Sequence, residues 1–265
     1  MAVIETLNYQ QVNAIRVGRF NQGINSSFIV YQLGDLMIDT GPANQWQYVR
    51  SFVEKQRVKR VILTHFHEDH SGNSHPLQKM GIDVFAPELT QQLIAQRFAM
   101  PMIQKIIWGR PKPAKVALLP TQIAFDSTTN FTTIAVPGHC KEMNAYLLAD
   151  KGWLFSGDLY IASKVRYLHR HENFSLQLES LKRVLSYDFE VMFCPHRGIV
   201  EHGKQALQNK LDYLQNLIAS AKQLQQQGMS TKQITHQLLG REDAMYLFSA
   251  GGFAKQHLIA ACLAV

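Results

Sequence analysis

The sequence predicts a mixed α/β (α+β) protein that ends in an all-helical region. Three observations carry that expectation. Hydrophobic residues make up 46% of the 265, enough for a full core. Short strand-like apolar runs alternate with helical spacing as far as about residue 200. Beyond Gly203 only helical patterns follow, rich in Gln, Leu and Lys. A core over 1–202 with a helical region over 203–265 packed on it is the expected organisation.

The elements follow in order. Gln11 to Val17, Ser27 to Gln32 and Leu36 to Ile38 read as strands, the last two joined by a turn at Leu33-Gly34-Asp35. Trp46, Val49, Phe52 and Val53 share one side of a helix over 46–55. Val58 to Leu63 and Asp83 to Ala86 read as strands, with a short helix over Gly72 to Met80 between them that Gly81 can end. Glu88 to Trp108 reads as two helices broken by Pro101, because proline removes an amide donor and clashes with the preceding turn. Thr132 to Val136 is a strand, and Asn144 to Leu148 with Trp153 to Phe155 forms a hairpin. Phe174 to Leu185 is helical and Glu190 to Phe193 is the last expected strand. Lys204 to Gln227 is a long helix, and Ser230 with Gln233 suggests a capping box opening a helix to Leu239. Glu242 to Ala264 is helical with a break at Gly251-Gly252.

Composition excludes several classes. Cys140, Cys194 and Cys262 are too few and too widely spaced for a disulfide framework. The N-terminal stretch lacks the basic and apolar regions of a signal peptide, and no run is apolar enough to span a membrane. A cytoplasmic protein is expected. The net charge of +7 fits simple solubility and also leaves an anionic substrate or nucleic acid open.

Five apolar runs each end in Asp or His within one to three residues: Ile38 before Asp39, Leu63 before Thr64-His65, Val136 before His139, Phe155 before Asp158, and Phe193 before His196. A sheet whose strand ends converge can gather such groups from far apart in sequence. In His65-Phe66-His67 the extended spacing puts both rings on one side and Phe66 on the other. Asp69 and His70 follow a turn, and Gly72 allows close backbone approach. Imidazole and carboxylate donors suit zinc, with iron or manganese as alternatives.

THFHEDHSG, with IDTG upstream and then VPGHC, FSGDLY and CPHRG downstream, resembles the metallo-β-lactamase-fold hydrolase superfamily. The resemblance covers roughly residues 10 to 200. It implies a four-layer αββα sandwich with the helical C-terminal extension added, and two Zn²⁺ per chain at one sheet edge. Carried over by position, His65, His67 and His139 would bind the first ion. Asp69, His70 and His196 would bind the second, and Asp158 would bridge them. Asp39 would support the ligands from behind, Asp69 would also act in catalysis, and Glu68 would not be a ligand. The implied reaction is hydrolysis of a small ester, thioester or lactone by a metal-bridging hydroxide. Cys140 and Cys194 are then packing residues.

Within the superfamily, the ligand set and helical C-terminus resemble glyoxalase II, and Tyr160, shortly after Asp158, resembles the Tyr that acyl-homoserine lactone hydrolases carry after the bridging Asp. LYIASKVRYLHRHEN, however, lacks the glycine- and cysteine-containing stretch that glyoxalase II carries after the bridging Asp. Tyr160, Arg166 and His169 are candidate contacts for a small, anionic substrate, with packing and solvated loop as the plainer readings. A phosphodiesterase or ribonuclease of the same fold is the alternative. The 88–108 helices, with Phe98, Met102, Ile106 and Trp108, leave open a pocket roof, a homodimer face or ordinary core packing, the last expected for most of these residues. No membrane partner is expected.

Overall fold

A computed structural model of the protein describes residues 3–20, 26–96, 100–126 and 128–265. The strands are β1 (Val3–Tyr9), β2 (Val12–Gly18), β3 (Ser27–Leu33), β4 (Leu36–Ile38), β5 (Arg60–Ile62), β6 (Asp83–Ala86), β7 (Ala117–Leu118), β8 (Ile123–Ala124), β9 (Asn130–Ala135), β10 (Asn144–Leu148), β11 (Trp153–Phe155), β12 (Leu168–His169), β13 (Val191–Cys194), β14 (Gly198–Val200) and β15 (Phe253–Ala254). β1 to β7 form one sheet in chain order, antiparallel up to β4 and parallel from β4 to β7. The second sheet runs β14-β13-β11-β10-β9-β8, and its β11–β13 pair is parallel. β12 and β15 pair as a separate ribbon.

The helices are α1 (Trp46–Gln56), α2 (Glu68–Ser71), α3 (Ser74–Lys79), α4 (Glu88–Ile94), α5 (Met102–Trp108), α6 (Phe174–Leu185), α7 (Gly203–Gln226), α8 (Thr231–Leu239), α9 (Ala244–Phe248) and α10 (Lys255–Ala264). Among the described residues, no helix is long and apolar enough to cross a membrane.

Strand alternation sorts side chains into three apolar layers. Along β3, Ile29 and Tyr31 face the second sheet, where they meet Phe155 and Phe193. Phe28 and Val30 face the other way, against Val49 and Phe52 of α1, Ile94 of α4 and Trp108 of α5. The outer face of the second sheet, with Ala145, Leu147 and Met192, packs on α6, α7, α8 and α10 through Leu181, Leu207, Leu214, Ile234 and Leu258. Helices, sheet, sheet, helices is the αββα sandwich that the resemblance implied. The C-terminal helices share one apolar cluster with the second sheet.

The departures have local causes. β1 carries no sequence expectation, because most of its side chains between Ile4 and Tyr9 are exposed or half-exposed and show no buried face. The helix expected over 72–80 is present as α3, starting at Ser74, and a further short helix without a sequence expectation, α2, precedes it across Gly72-Asn73. A Cβ on Gly72 would lie 2.4 Å from the Glu68 carbonyl and 2.7 Å from both the Ala43 amide and the Gly41 carbonyl, so this crossing admits only glycine. The expected break at Gly251 is present, and β15 follows it. The Ser230–Gln233 capping box forms as expected. Ile94 and Trp108 are core residues, whereas Met102 and Ile106 are exposed. Phe98 lies outside the described residues.

Candidate metal centre

β4 and β5 run parallel in one sheet, and β11 and β13 run parallel in the other. Their C-terminal ends carry Asp39, His65, Asp158 and His196. The two sheets are tied together at this edge by reciprocal bonds. Tyr31 of the first sheet donates to the Cys194 carbonyl, 2.7 Å away and two residues before His196. Tyr146 of the second donates to the Leu63 carbonyl, 2.6 Å away and two residues before His65. The Asn144 amide bonds the Thr64 carbonyl at 3.0 Å, and the Ile29 amide the Pro195 carbonyl at 2.7 Å.

The seven expected ligands fall into two groups of converging donor atoms. His65, His67, His139 and Asp158 form one, and Asp69, His70 and His196 the other, with the atoms of each within 4.8 Å of one another. His67 Nδ1 is 3.0 Å from His65 Nε2 and 2.9 Å from His139 Nε2. Asp158 faces both groups. Its Oδ2 is 3.2 Å from His139 Nε2, while its Oδ1 is 3.1 Å from His70 Nε2 and 3.2 Å from His196 Nε2. Asp69 Oδ2 is 3.7 Å from His196 Nε2. Glu68 is buried beside them and belongs to neither group.

The rings are oriented from behind. Asp39 accepts from His70 Nδ1 at 2.7 Å, from the Thr64 amide at 2.7 Å and from Thr64 Oγ1 at 2.9 Å. Thr64 Oγ1 also lies 3.0 Å from His65 Nδ1. Glu172 lies 2.7 Å from His139 Nδ1, and its other oxygen accepts from the His169 amide at 3.0 Å. Because a carboxylate can only accept, the Nδ1 proton of His70 and of His139 points outward, and each Nε2 is left facing the site. Asp39 makes these contacts from a left-handed backbone with φ +59°, an unfavourable conformation for a residue with a Cβ.

Burial, reinforced by the neighbouring rings of His70 and His139, holds His65 and His67 well below the usual imidazole range, so both are neutral. Burial opposes charge on His70 too, but Asp39, Asp158 and Asp69 outweigh it and hold this ring well above the usual range. Burial would also raise Asp158, yet His70, His196 and His139 keep it well below the ordinary carboxylate range. Two neutral rings and an ionised carboxylate thus meet with lone pairs inward. Four donors at 2.0–2.1 Å on a tetrahedral ion stand about 3.3–3.4 Å apart. The nitrogen separations near 3 Å approach that spacing. The donor set therefore fits a divalent cation.

The metallo-beta-lactamase superfamily profile matches residues 20–196. The chain belongs to that superfamily. Its overall fold is similar to a metallo-beta-lactamase family protein from Thermus thermophilus, with a TM-score of 0.72 at 17% identity over 97% of this chain and 94% of that one. In sequence it is 22% identical to an atrochrysone carboxyl ACP thioesterase from Aspergillus fumigatus over 195 residues, 72% of this chain. The chain spans 56% of that thioesterase's length. It is 23% identical to a beta-lactamase-like protein 2 homolog from Drosophila melanogaster over 215 residues, 76% of this chain and 70% of that one. Its His and Asp clusters are suited to divalent metal.

Of the expected substrate contacts, His169 stands beside the metal centre, through Glu172, with its ring 4.7 Å from that of Phe253. Arg166 is exposed on the same segment and reaches the Leu239 carbonyl at 3.4 Å. Tyr160 is 7% exposed in the apolar cluster, and its hydroxyl is 3.0 Å from Ser163 Oγ. Cys194 is buried, and burial pushes its thiol up to about 11. Cys140 is likewise pushed up to about 12 by burial, so neither is a ready nucleophile. Sequence reasoning assigned no role to Thr64, Glu172, Tyr31 or Tyr146. Thr64 sits inside the histidine motif, but the other three carry no local signal, since their partners are distant in the chain.

Proposed function

We propose that the protein is a dinuclear metal-dependent hydrolase that cleaves a small ester, thioester or lactone. The observation that carries this reading is the placement of Asp158, whose two oxygens are directed one to each donor group. In this reading His65, His67 and His139 hold one ion, Asp69, His70 and His196 the other, and Asp158 is shared. Zinc suits the nitrogen-rich set, with iron or manganese as alternatives. When bound, the ions supply Lewis acidity and an activated water at neutral pH.

The chain's own groups do the rest. Asp39, Thr64 and Glu172 fix the ring orientations, so no reorganisation is needed when substrate arrives. Asp69 has two oxygens, one for the second ion and one free to accept a proton from the attacking water. Burial raises its pKa from the ordinary value, which makes it a better acceptor and lets it return that proton to the leaving group. Arg166 and His169, on the segment beside Glu172, are placed to meet an anionic part of the substrate. Tyr160 is given no part in the chemistry, since its hydroxyl is engaged by Ser163. The thioesterase among the sequence relatives favours a thioester within this substrate class.

Metal analysis of the purified protein should find close to two ions per chain, and fewer than one defeats the dinuclear reading. A hydrolysis panel of thioesters, lactones, a β-lactam and oligonucleotides, run with defined metal, then tests the substrate class. Turnover confined to the oligonucleotides would replace the ester reading with the phosphodiester one that the +7 charge leaves open.

A further inference from the structure

Lys210 lies on α7, beyond the residues that match the superfamily, on the helix face that also carries Leu207, Leu211 and Leu214. It is only 7% exposed and sits against that apolar cluster. Burying an ammonium is costly unless it is well bonded. Burial pulls its pKa down to about 8, so it remains mostly charged at neutral pH. Its Nζ donates to the Leu159 carbonyl at 2.7 Å. Leu159 closes the short turn Gly157–Leu159 that presents Asp158. Lys210 also lines a cavity of ≈ 10 Å³, about the room for one water, together with His139, Asp158 and Gln177.

We propose that Lys210 is a positioning residue, whose bond to the Leu159 carbonyl fixes the turn that holds the Asp158 carboxylate between the two donor groups. The inference rests on the dinuclear reading above. It also gives the C-terminal helical region a part in the metal centre that the match over 20–196 does not contain.

Electrostatics and positioning predict opposite signs when Lys210 is replaced, which makes the proposal testable. Removing a buried cation beside two cation sites should, through charge alone, tighten metal binding. Losing the bond that fixes Asp158 should weaken it. The experiment is a competition titration of Zn²⁺ against a chromophoric chelator for wild type and Lys210→Met, with melting of the metal-free proteins in parallel. The expected result is a loss of about 10-fold in affinity for the second ion, as for other residues that orient ligands. The metal-free variant should melt no lower than wild type, since methionine suits the apolar slot. The Co²⁺-loaded variant should also show a changed visible spectrum. Equal or tighter binding of the second ion, or a lower metal-free melting point with unchanged affinity, overturns the proposal. If Lys210→Met does not fold, Lys210→Gln, one bond shorter, carries the same test. Wild type that binds fewer than two ions refutes the dinuclear reading itself, a result distinct from both.

Discussion

His65, His67, Asp69 and His70 come from six consecutive residues after β5, whereas His139, Asp158 and His196 come from three separate strand ends of the other sheet. The first half is local. Its geometry follows from one extended segment, one short turn and the Asp39–Thr64 bonds behind it. The second half exists only if β9, β11 and β13 are correctly paired and packed under the C-terminal helices. Both groups of donors draw on both sheets, so neither half is a complete site. Damage to the first half should therefore stay near its own ligands, while the second half should respond to substitutions much further away.

The largest effect is expected at the residue shared by the two groups. On the dinuclear reading, Asp158→Ala should lower bound metal from two ions to one or none. Turnover should fall by more than the roughly 10–100-fold typical of residues that only orient ligands. Metal analysis and steady-state kinetics on the same preparation check this. Full metal content in the variant would remove Asp158 from the centre.

Next in size are the two carboxylates that hold rings from behind, one in each half. Asp39→Ala strips partners from His70, Thr64 Oγ1 and the Thr64 amide together. It should cost roughly 10–100-fold in metal affinity and about 1–3 kcal/mol of stability for each buried donor left unpaired. Asp39→Gly should return part of the lost stability, because alanine leaves the left-handed backbone strained and glycine relieves it. Glu172→Gln keeps an acceptor for His139 but removes its charge, so a loss near 10-fold is expected, confined to the first ion. Titrations with Co²⁺ separate the two outcomes. Equal effects of Glu172→Gln on both ions would mean the halves are not distinct.

That contrast also explains what could be read in the chain. The local half is legible because its ligands lie at fixed offsets within one motif, and His65-Phe66-His67 shows the expected strand-like alternation, with Phe66 turned into the helix-facing core. His139, Asp158 and His196 are visible only as residues that end apolar runs. Glu172 was hidden because it lies 33 positions from His139, on a loop held by the Asn173 amide to the Gly138 carbonyl. Tyr31 and Tyr146 read as ordinary strand residues, since nothing in the sequence shows that each hydroxyl crosses to the opposite sheet. Lys210 reads as one more polar position on a Gln- and Lys-rich helix. The fold was legible where burial alternates with strand or helix period, and illegible at β1, whose exposed edge has no such alternation.

The tyrosines join the halves, so they offer a milder break. Tyr146→Phe leaves the Leu63 carbonyl without its bond and should cost about 1–3 kcal/mol in chemical denaturation. Tyr31→Phe should behave alike at Cys194. If the two bonds act as one latch, the double variant should lose measurably less or more than the sum, a coupling that a double-mutant cycle reads directly. Strict additivity would make them independent struts.

The smallest effect tests how far the distributed half extends. Asp243 bonds Tyr167, pairs with Lys255 at 3.0 Å, and so ties the stretch before α9 to the loop that leads to His169 and Glu172. The Tyr167 hydroxyl, with Lys255, holds its carboxyl down from the ordinary 3.8 to about 2. A depressed acid stabilises the fold above its unfolded value and loses that contribution as pH falls through the folded one. Asp243→Asn should therefore destabilise at pH 7, and the gap from wild type should begin to close below pH 4 and vanish toward pH 2. Its side chain is 39% exposed, so solvent screening limits the effect to about 1 kcal/mol. Melting temperatures of the two proteins across that range measure the gap. A gap that stays constant with pH would assign it to lost packing instead. A shift in first-ion affinity accompanying it would carry the reach of the distributed half from His139 through Glu172 to the C-terminal segment.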